Sequence, residues 1–467
     1  MTYIFTGILI ALSTFNLIAQ SFFFEKKLGD LLPDLARDIV QYPDSSIYIL
    51  GTTIFPNNAQ VTLTKTDALG NSLWVKYYGG IYNDYGISLL SLNNELIIAY
   101  EKETSPNNID IGIIKTDTSG NILFTSTFGI NTKNESPRQL IATLDGNYVL
   151  CGFISDNHGY NDIYVIKFDN NGNEIWSLSA GGNNNDYASG ITQLPDSSYL
   201  VSGDTKSYSM GGYDVYLVKL DKNGNILWDK TYGDSYDNGS QGILYTSDNL
   251  IFVYGETHTG INLDFDYFTL FTDTAGIQIG QYNLGGNGTD AAFSAIETAN
   301  GNFILTGYSN TFDTLKPIHL SVFEININGN ILWQKYYGGE GIDIGYKIIQ
   351  SNMNGILIVG QNYDTLYDTQ QYLLHLNYNG TLTNFNLHNK INTTNKFYPY
   401  PNPFYDKIFL PNYNEIEAIE ITNSIGQILI HQTNLSSYID CTSLLSGWYF
   451  LKIIKNNETW VYKIIKQ

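Results

Sequence analysis

A Gly-Gly-x-x-x-Asp phrase recurs along the chain, and counting four residues on from its second position gives Asp34, Asp84, Asn134, Asp186, Asn238 beside Asp237, Asp290 and Asp343. One acid or amide per repeat could ring a single face, where carboxylates concentrate cations or, with the adjacent Tyr85 and Tyr187, grip sugar hydroxyls. The same groups could instead satisfy backbone N–H donors in their own turns. Recurrence in every repeat favours that structural role.

Other chemistry is weaker. Asp-x-x-Gly-Asn turns resemble fragments of calcium loops, but each supplies one acid and one amide where calcium takes six to eight oxygens; no metal site is expected. The histidines 158, 258, 319, 375, 388 and 431 show no metal-ligand spacing and read as solvated. No Gly-x-Ser-x-Gly elbow, phosphate loop or zinc signature occurs, so neither a cofactor nor a catalytic residue is expected. Tyr-, Gly-, Ser- and Asn-rich stretches such as DNHGYND and SYSMGGYD are suited to an adaptable surface for a glycan or protein ligand.

The turns that carry these residues are spaced regularly. Glycines of the Asp-x-x-Gly-Asn phrase or its relics fall at 70, 120, 172, 224, 276, 329 and 380, which makes seven units of about 50 residues. Within the fourth unit, Gly190 to Leu194, Tyr199 to Gly203, Tyr213 to Lys219 and Ile226 to Tyr232 alternate apolar and polar residues between turn signals, and read as strands a, b, c and d. Four strands per unit and seven units predict an all-β, seven-bladed β-propeller over residues 20–387. The a-to-b and c-to-d turns share one end of such a blade, so the b-to-c loops and the crossings between blades share the other. Phe22 to Leu28 repeats the strand d pattern ahead of the first complete unit, and is expected to close the ring beside strand c of the seventh. Thr381 to Asn386 is the rival closing strand.

Net charge is −21, from 24 basic and 45 acidic residues. Residues from Lys396 onward are balanced, so the excess lies on the repeats, and nucleic acid is excluded as a partner by sign. Residues 1–19 form an uncharged apolar run that reads as a signal peptide rather than a stable transmembrane anchor. Cys151 and Cys441 fall in different regions and give no disulfide framework. A polar stretch, 388–396, reads as a linker; residues 397–467 carry short strand-like runs that suggest a small C-terminal β-sandwich.

The phrase from Tyr213 through Lys219, Asp221, Gly224 and Trp228 to Gly233 resembles a bacterial β-propeller repeat, which implies fold and not chemistry. The C-terminal segment resembles the sorting domain of the type IX secretion system of Bacteroidota. The matching positions are Pro401, Asn402 and Pro403 after Tyr400, Gly426 in its turn, Gly447 and Tyr449, and Lys463 and Lys466 at the end. That resemblance implies the type IX machinery as a partner, and passage through the periplasm to the medium or the outer cell surface. The expected protein is thus an exported, noncatalytic binding or adhesion module. The rival is an extracellular polysaccharide hydrolase or lyase that uses acids on the loop face as acid and base.

Overall fold

A computed structural model describes residues 23–29, 32–130, 132–155, 158–258, 264–311, 318–365, 368–382, 404–410, 413–423, 428–433, 435–455 and 458–466. Among them the sole helical element is a 3-10 turn at Tyr413–Glu415. The rest is strand and turn.

Two compact units divide the chain, one of them Phe23–Leu382. It consists of seven four-stranded antiparallel sheets. In the fourth blade the strands are a Asp186–Gln193, b Tyr199–Thr205, c Asp214–Leu220 and d Ile226–Tyr232. The other a strands are Asp34–Gln41, Asp84–Leu92, Glu135–Ala142, Asn238–Tyr245, Asp290–Glu297 and Asp343–Gln350. Neighbouring a strands touch one another around the axis, while d strands alternate exposed and half-buried residues at the rim. Between blades lies the core. Val149, Cys151, Ile163 and Val165 of the third blade pack on Ala188, Ile191, Tyr199 and Val201 of the fourth.

The c-to-d turn shows why its phrase repeats. Asp67 accepts from the N–H groups of Leu69 and Asn71, each at 2.9 Å, and from the Asn71 side chain at 2.8 Å. Gly70 takes φ +73°, open to glycine at little cost. A side chain there would also strike the Phe24 ring, which lies 2.6 Å from where its Cβ would stand. The same four-residue pattern holds at Asp117, Asp169 and Asp221.

Strand d carries Trp, Lys and Tyr because each blade clasps the next one's turn. Lys76 donates to Asn121 at 3.0 Å and the Tyr78 hydroxyl to the Gly120 carbonyl at 2.8 Å. Tyr232 repeats the contact on Gly276 at 2.6 Å.

Ring closure follows the same rule. Phe24–Leu28 pairs antiparallel with Asp368–Leu376, strand c of the seventh blade, as the N-terminal pattern predicts. Its Lys26 then donates to Asn71 of the first blade at 3.2 Å. The rival strand from Thr381 falls largely outside the described residues. Unlike the solvated histidine expected there, His375 is fully buried, because strand c is covered once Phe23 and Phe24 pack their rings about 5 Å from it.

A second seam runs round the axis. Every a strand is bulged near its third residue. Beyond the bulge, a side chain of one blade accepts an N–H of the next: Asp38 from Leu89 at 2.7 Å, Ser88 from Leu140 at 3.1 Å, Gln139 from Ile191 at 2.9 Å, and Ser294 from Ile348 at 3.2 Å. Where Gly242 leaves a gap, the Tyr254 hydroxyl fills it and accepts from Ala295. Gly190 offers nothing, and Asp204 accepts the Ser240 N–H instead, at 2.6 Å. Lys347 of the last blade lies 3.9 Å from Asp38 of the first, and that carboxylate raises its pKa.

In the C-terminal unit, Ile428–Gln432, Ala418–Thr422, Gly447–Lys455 and Glu458–Lys466 form one sheet in that order, and Lys407–Phe409 pairs with Tyr438–Asp440. Phe404, Ile408, Ile419, Ile421, Ile439, Leu451, Ile453 and Ile464 fill the core of these small sheets.

Deleting residues 23–29 should lower propeller stability by about 5 kcal/mol, since it uncovers a ladder edge and the apolar faces of Phe24 and Leu28. Chemical denaturation of the shortened chain against Lys27→Ala checks this; equal midpoints would refute closure by this strand.

Candidate functional site

The recurrent acids lie at the first residue of each a strand, and they are covered. Asp34, Asp84, Asp186, Asp290 and Asp343 are 0–5% exposed. The four-residue spacing has a direct cause, because the carboxylate turns back to cap the N–H of the second glycine. Gly80 donates to Asp84 at 2.6 Å, Gly182 to Asp186 at 2.8 Å, and Gly339 to Asp343 at 2.8 Å. The second oxygen, where bonded, meets strand b, as Thr205 does on Asp186 at 2.5 Å; Thr53 bonds Asp34 likewise, and Thr311 in the following loop bonds Asp290. These contacts are what a turn-fixing role requires. Burial pushes the carboxyls of Asp84, Asp290 and Asp343 up.

One position of the sequence count shifts by one residue. In the third blade Glu135, not Asn134, occupies the ring: the crossing is one residue longer, and the longer side chain reaches back to the Ile130 N–H at 3.2 Å. In the fifth, Asn238 holds the ring and accepts from Thr257 at 2.8 Å, while Asp237 stands outside it. Asn134 and Asp237 belong to a different series. They accept the N–H of Ile109 and Tyr213 at the start of the preceding blade's strand c, at 2.9 and 2.7 Å, as Asn83 and Asn185 do for Ala59 and Asn161 at 2.9 Å.

Tyr85 and Tyr187 follow the ring acids and are half-buried. Tyr187 packs edge-on against Phe153 at 5.1 Å, and its hydroxyl accepts from Asn161 at 3.0 Å. Pro401, Asn402, Pro403 and Gly426 lie outside the described residues. Gly447 opens the long hairpin of the C-terminal unit, Lys463 pairs through its main chain with Phe450, and the Tyr449 hydroxyl donates to Leu445 at 2.7 Å. Lys466 is buried and donates to the Cys441 carbonyl at 2.9 Å, beside Asp406 at 3.4 Å.

The groups that counting missed lie on the axis. The bulged residues of the seven a strands are Arg37, Ile87, Arg138, Ser189, Gln241, Phe293 and Tyr346. One level away, strand b contributes Thr52, Glu101, Phe153, Asp204, Glu256, Tyr308 and Gln361. Strand a is innermost, so an exposed side chain at its middle opens onto the axial channel, and Arg37 and Arg138 are exposed. Unlike the ring acids, these positions differ from blade to blade.

Their chemistry divides by sector. Arg37 lies over the Tyr346 ring at 4.4 Å, and Tyr346 stacks on Phe293 at 5.4 Å. Arg138 lies over Phe153 at 4.9 Å and turns one nitrogen, Nη1, to Ser136 at 2.8 Å, Pro137 at 3.0 Å and Glu101 at 3.4 Å. Across the ring, Gly239 leaves Glu256 and Asp204 beside each other. Burial, then the charges of Glu256 and Asp237, push Asp204 up to about 8. Burial raises Glu256 too. The available sequence signal was placement: the chain has two arginines, and both fall at the same point of their repeats.

Residues 399–467 match the family described as secretion system C-terminal sorting domain, and that segment is such a domain. Among solved structures the chain is similar to YCF48 bound to D1 peptide, at 12% identity and TM-score 0.45 over 78% of this chain and 99% of that one. It is likewise similar to Chaetomium thermophilum Sqt1 bound to the N-terminus of the ribosomal protein L10, at 12% and 0.43 over 73% and 96%. A protein of unknown function from Dyadobacter fermentans DSM 18053 gives 12% and 0.42 over 75% and 99%. No curated protein matches. The sorting domain marks the protein for the outer cell surface or the medium. No helix among the described residues is long and apolar enough to cross a membrane.

The raised acids fix a pH dependence. Asp204, at about 8, and Glu135, at about 7, hold protons in the folded state that an unfolded carboxyl near about 4 releases. Their contribution is full below about pH 4 and is lost as pH rises through about 7 to 8. The turn acids Asp117, Asp169 and Asp221, lowered by Asn121, Asn173 and Asn225, act oppositely and only below about pH 4. Melting temperature should therefore fall between pH 5 and pH 9, and Asp204→Asn should flatten that fall. A profile in which the variant and the parent chain run parallel contradicts the assignment.

Proposed function

We propose that this protein is a secreted or surface-displayed, noncatalytic binding or adhesion module whose ligand, a glycan or protein, is taken at the axial channel. The observation that carries the reading is the contrast between two sets of repeated positions. Ring acids recur in nearly every blade and are buried on backbone donors, whereas the axial residues diverge, with two exposed arginines among half-buried aromatic and acidic groups. A fold that needed particular residues on the axis would repeat them. Ligand recognition needs the opposite, a few different groups converging on one concave place.

One observation favours a second reading. Asp204 and Glu256 are adjacent acids with raised pKa, and a carboxyl held protonated near neutrality is what a general acid requires. An extracellular polysaccharide hydrolase or lyase would use them so.

Delivery divides the chain in function. Residues 1–19 act as a signal peptide, 20–387 as the binding domain, 388–396 as a linker and 397–467 as the address read by the type IX machinery. Two measurements follow. A glycan array probed with the purified chain should show selective binding that Asp204→Asn with Glu256→Gln alters, with no product released from bound oligosaccharide; turnover would replace the noncatalytic reading. Removing residues 397–467 should leave a folded propeller in the periplasm, and wild-type levels of tailless protein outside the cell would contradict the address.

A further inference from the structure

Arg37 stands apart from every other cation on the propeller axis. It is one of two arginines in a chain of net charge −21, and both occupy the bulge of an a strand. Arg138 is already engaged by Glu101, Ser136 and Pro137. The Arg37 guanidinium lies on the Tyr346 ring, and no described residue accepts a hydrogen bond from it. A guanidinium stacked on a ring keeps its in-plane N–H fork free, the geometry that takes a carboxylate in two parallel bonds. Asp38, next in sequence, does not neutralise it. That carboxylate is held by the N–H groups of Ile39 and Leu89 and faces Lys347.

Seven blades in a ring place the fourth and fifth across the axis from the first. Asp204, which also holds the Ser240 N–H, and Glu256 stand there, on strand b, within one or two residues of the bulge level, or about 3–7 Å along the strand. Ser189 and Gln241 lie beside them on the bulge itself. The channel therefore presents a free cationic fork on one wall, and carboxyl, amide and hydroxyl groups on the other. An acidic peptide would meet that wall with carboxylates alone on its side chains. A sugar acid adds hydroxyls, which both donate and accept and so match carboxyl, amide and hydroxyl partners.

Resting on the axial reading above, we propose that the channel binds a uronate-bearing saccharide, with the sugar carboxylate on Arg37 and sugar hydroxyls on the Asp204 and Glu256 wall. Arg37 is the specificity-determining residue. Arg138, its charge paired with Glu101 through Nη1, contributes little.

The test is calorimetric titration of the full chain with an oligogalacturonate, its methyl ester, and an oligoglutamate of equal length. Free acid should bind at least tenfold tighter than the ester, and oligoglutamate should not bind. Arg37→Ala should weaken the free acid by tenfold or more; Arg37→Lys, which keeps charge but loses the planar fork, should recover part of it, and Arg138→Ala should stay within threefold. Unchanged melting temperatures show that these exposed substitutions leave the fold intact. Equal binding of acid and ester, equal binding by Arg37→Ala, or preference for oligoglutamate overturns the proposal. If a neutral glycan binds and Asp204→Asn weakens it, the uronate assignment falls while the axial site stands. If no saccharide or peptide binds, both fall. Cleavage of the oligogalacturonate with loss in Arg37→Ala keeps the assignment and removes only the noncatalytic role.

Discussion

A closed ring of sheets has no free edge only if its last blade is completed and its two ends are held together. Here the chain brings both ends to the junction of the seventh and first blades. Phe24–Leu28 supplies the outermost strand, Lys26 clasps the first blade's turn, and on the axis Lys347 faces Asp38. Elsewhere the inner seam is made by side-chain acceptors and N–H groups. At the closing junction it is made by opposite charges, which need no shared register and can join strands that are distant in sequence.

That constraint explains which residues repeat. A blade must cap the N–H of its entering crossing, turn tightly between strands c and d, and grip its neighbour. The Asp at the start of strand a, the Asp-x-x-Gly-Asn turn, and the Trp, Lys and Tyr of strand d meet these needs in that order. Each is a local hydrogen-bonding solution, so it recurs wherever the local geometry recurs. The bulged residues on the axis answer to no such need. The bulge turns one side chain per blade toward the channel without asking what it is.

The same distinction governs what could be read from sequence. Period, strand order, blade number and the closing strand were legible because spacing and alternation follow from local geometry. The ring acids recur as a turn residue would, but a fixed count misplaced one of them, since one crossing is a residue longer; in the fifth blade Asp237 stands just ahead of the counted ring residue, Asn238. The axial groups were hidden for another reason. A bulge is one unpaired residue inside an ordinary strand, and only its place in the folded ring makes Arg37 and Asp204 members of one channel. His375 was misjudged similarly, since its cover comes from Phe23 and Phe24, some 350 residues away in sequence.

Repeated positions that hold the ring, and divergent positions that are free to serve a ligand, together make the central claim. Thermal unfolding of two multiple variants tests it most directly. Arg37→Ser, Arg138→Ser and Gln241→Ser together place at three bulges the residue that the fourth blade carries naturally, and should melt within a few degrees of the parent chain. Asp84→Ala, Asp186→Ala and Asp343→Ala together strip three buried caps, at about 1–3 kcal/mol each, and should lower the transition far more or abolish its cooperativity. A bulge variant that melts as early as the cap variant, or a cap variant that melts like the parent, contradicts the account.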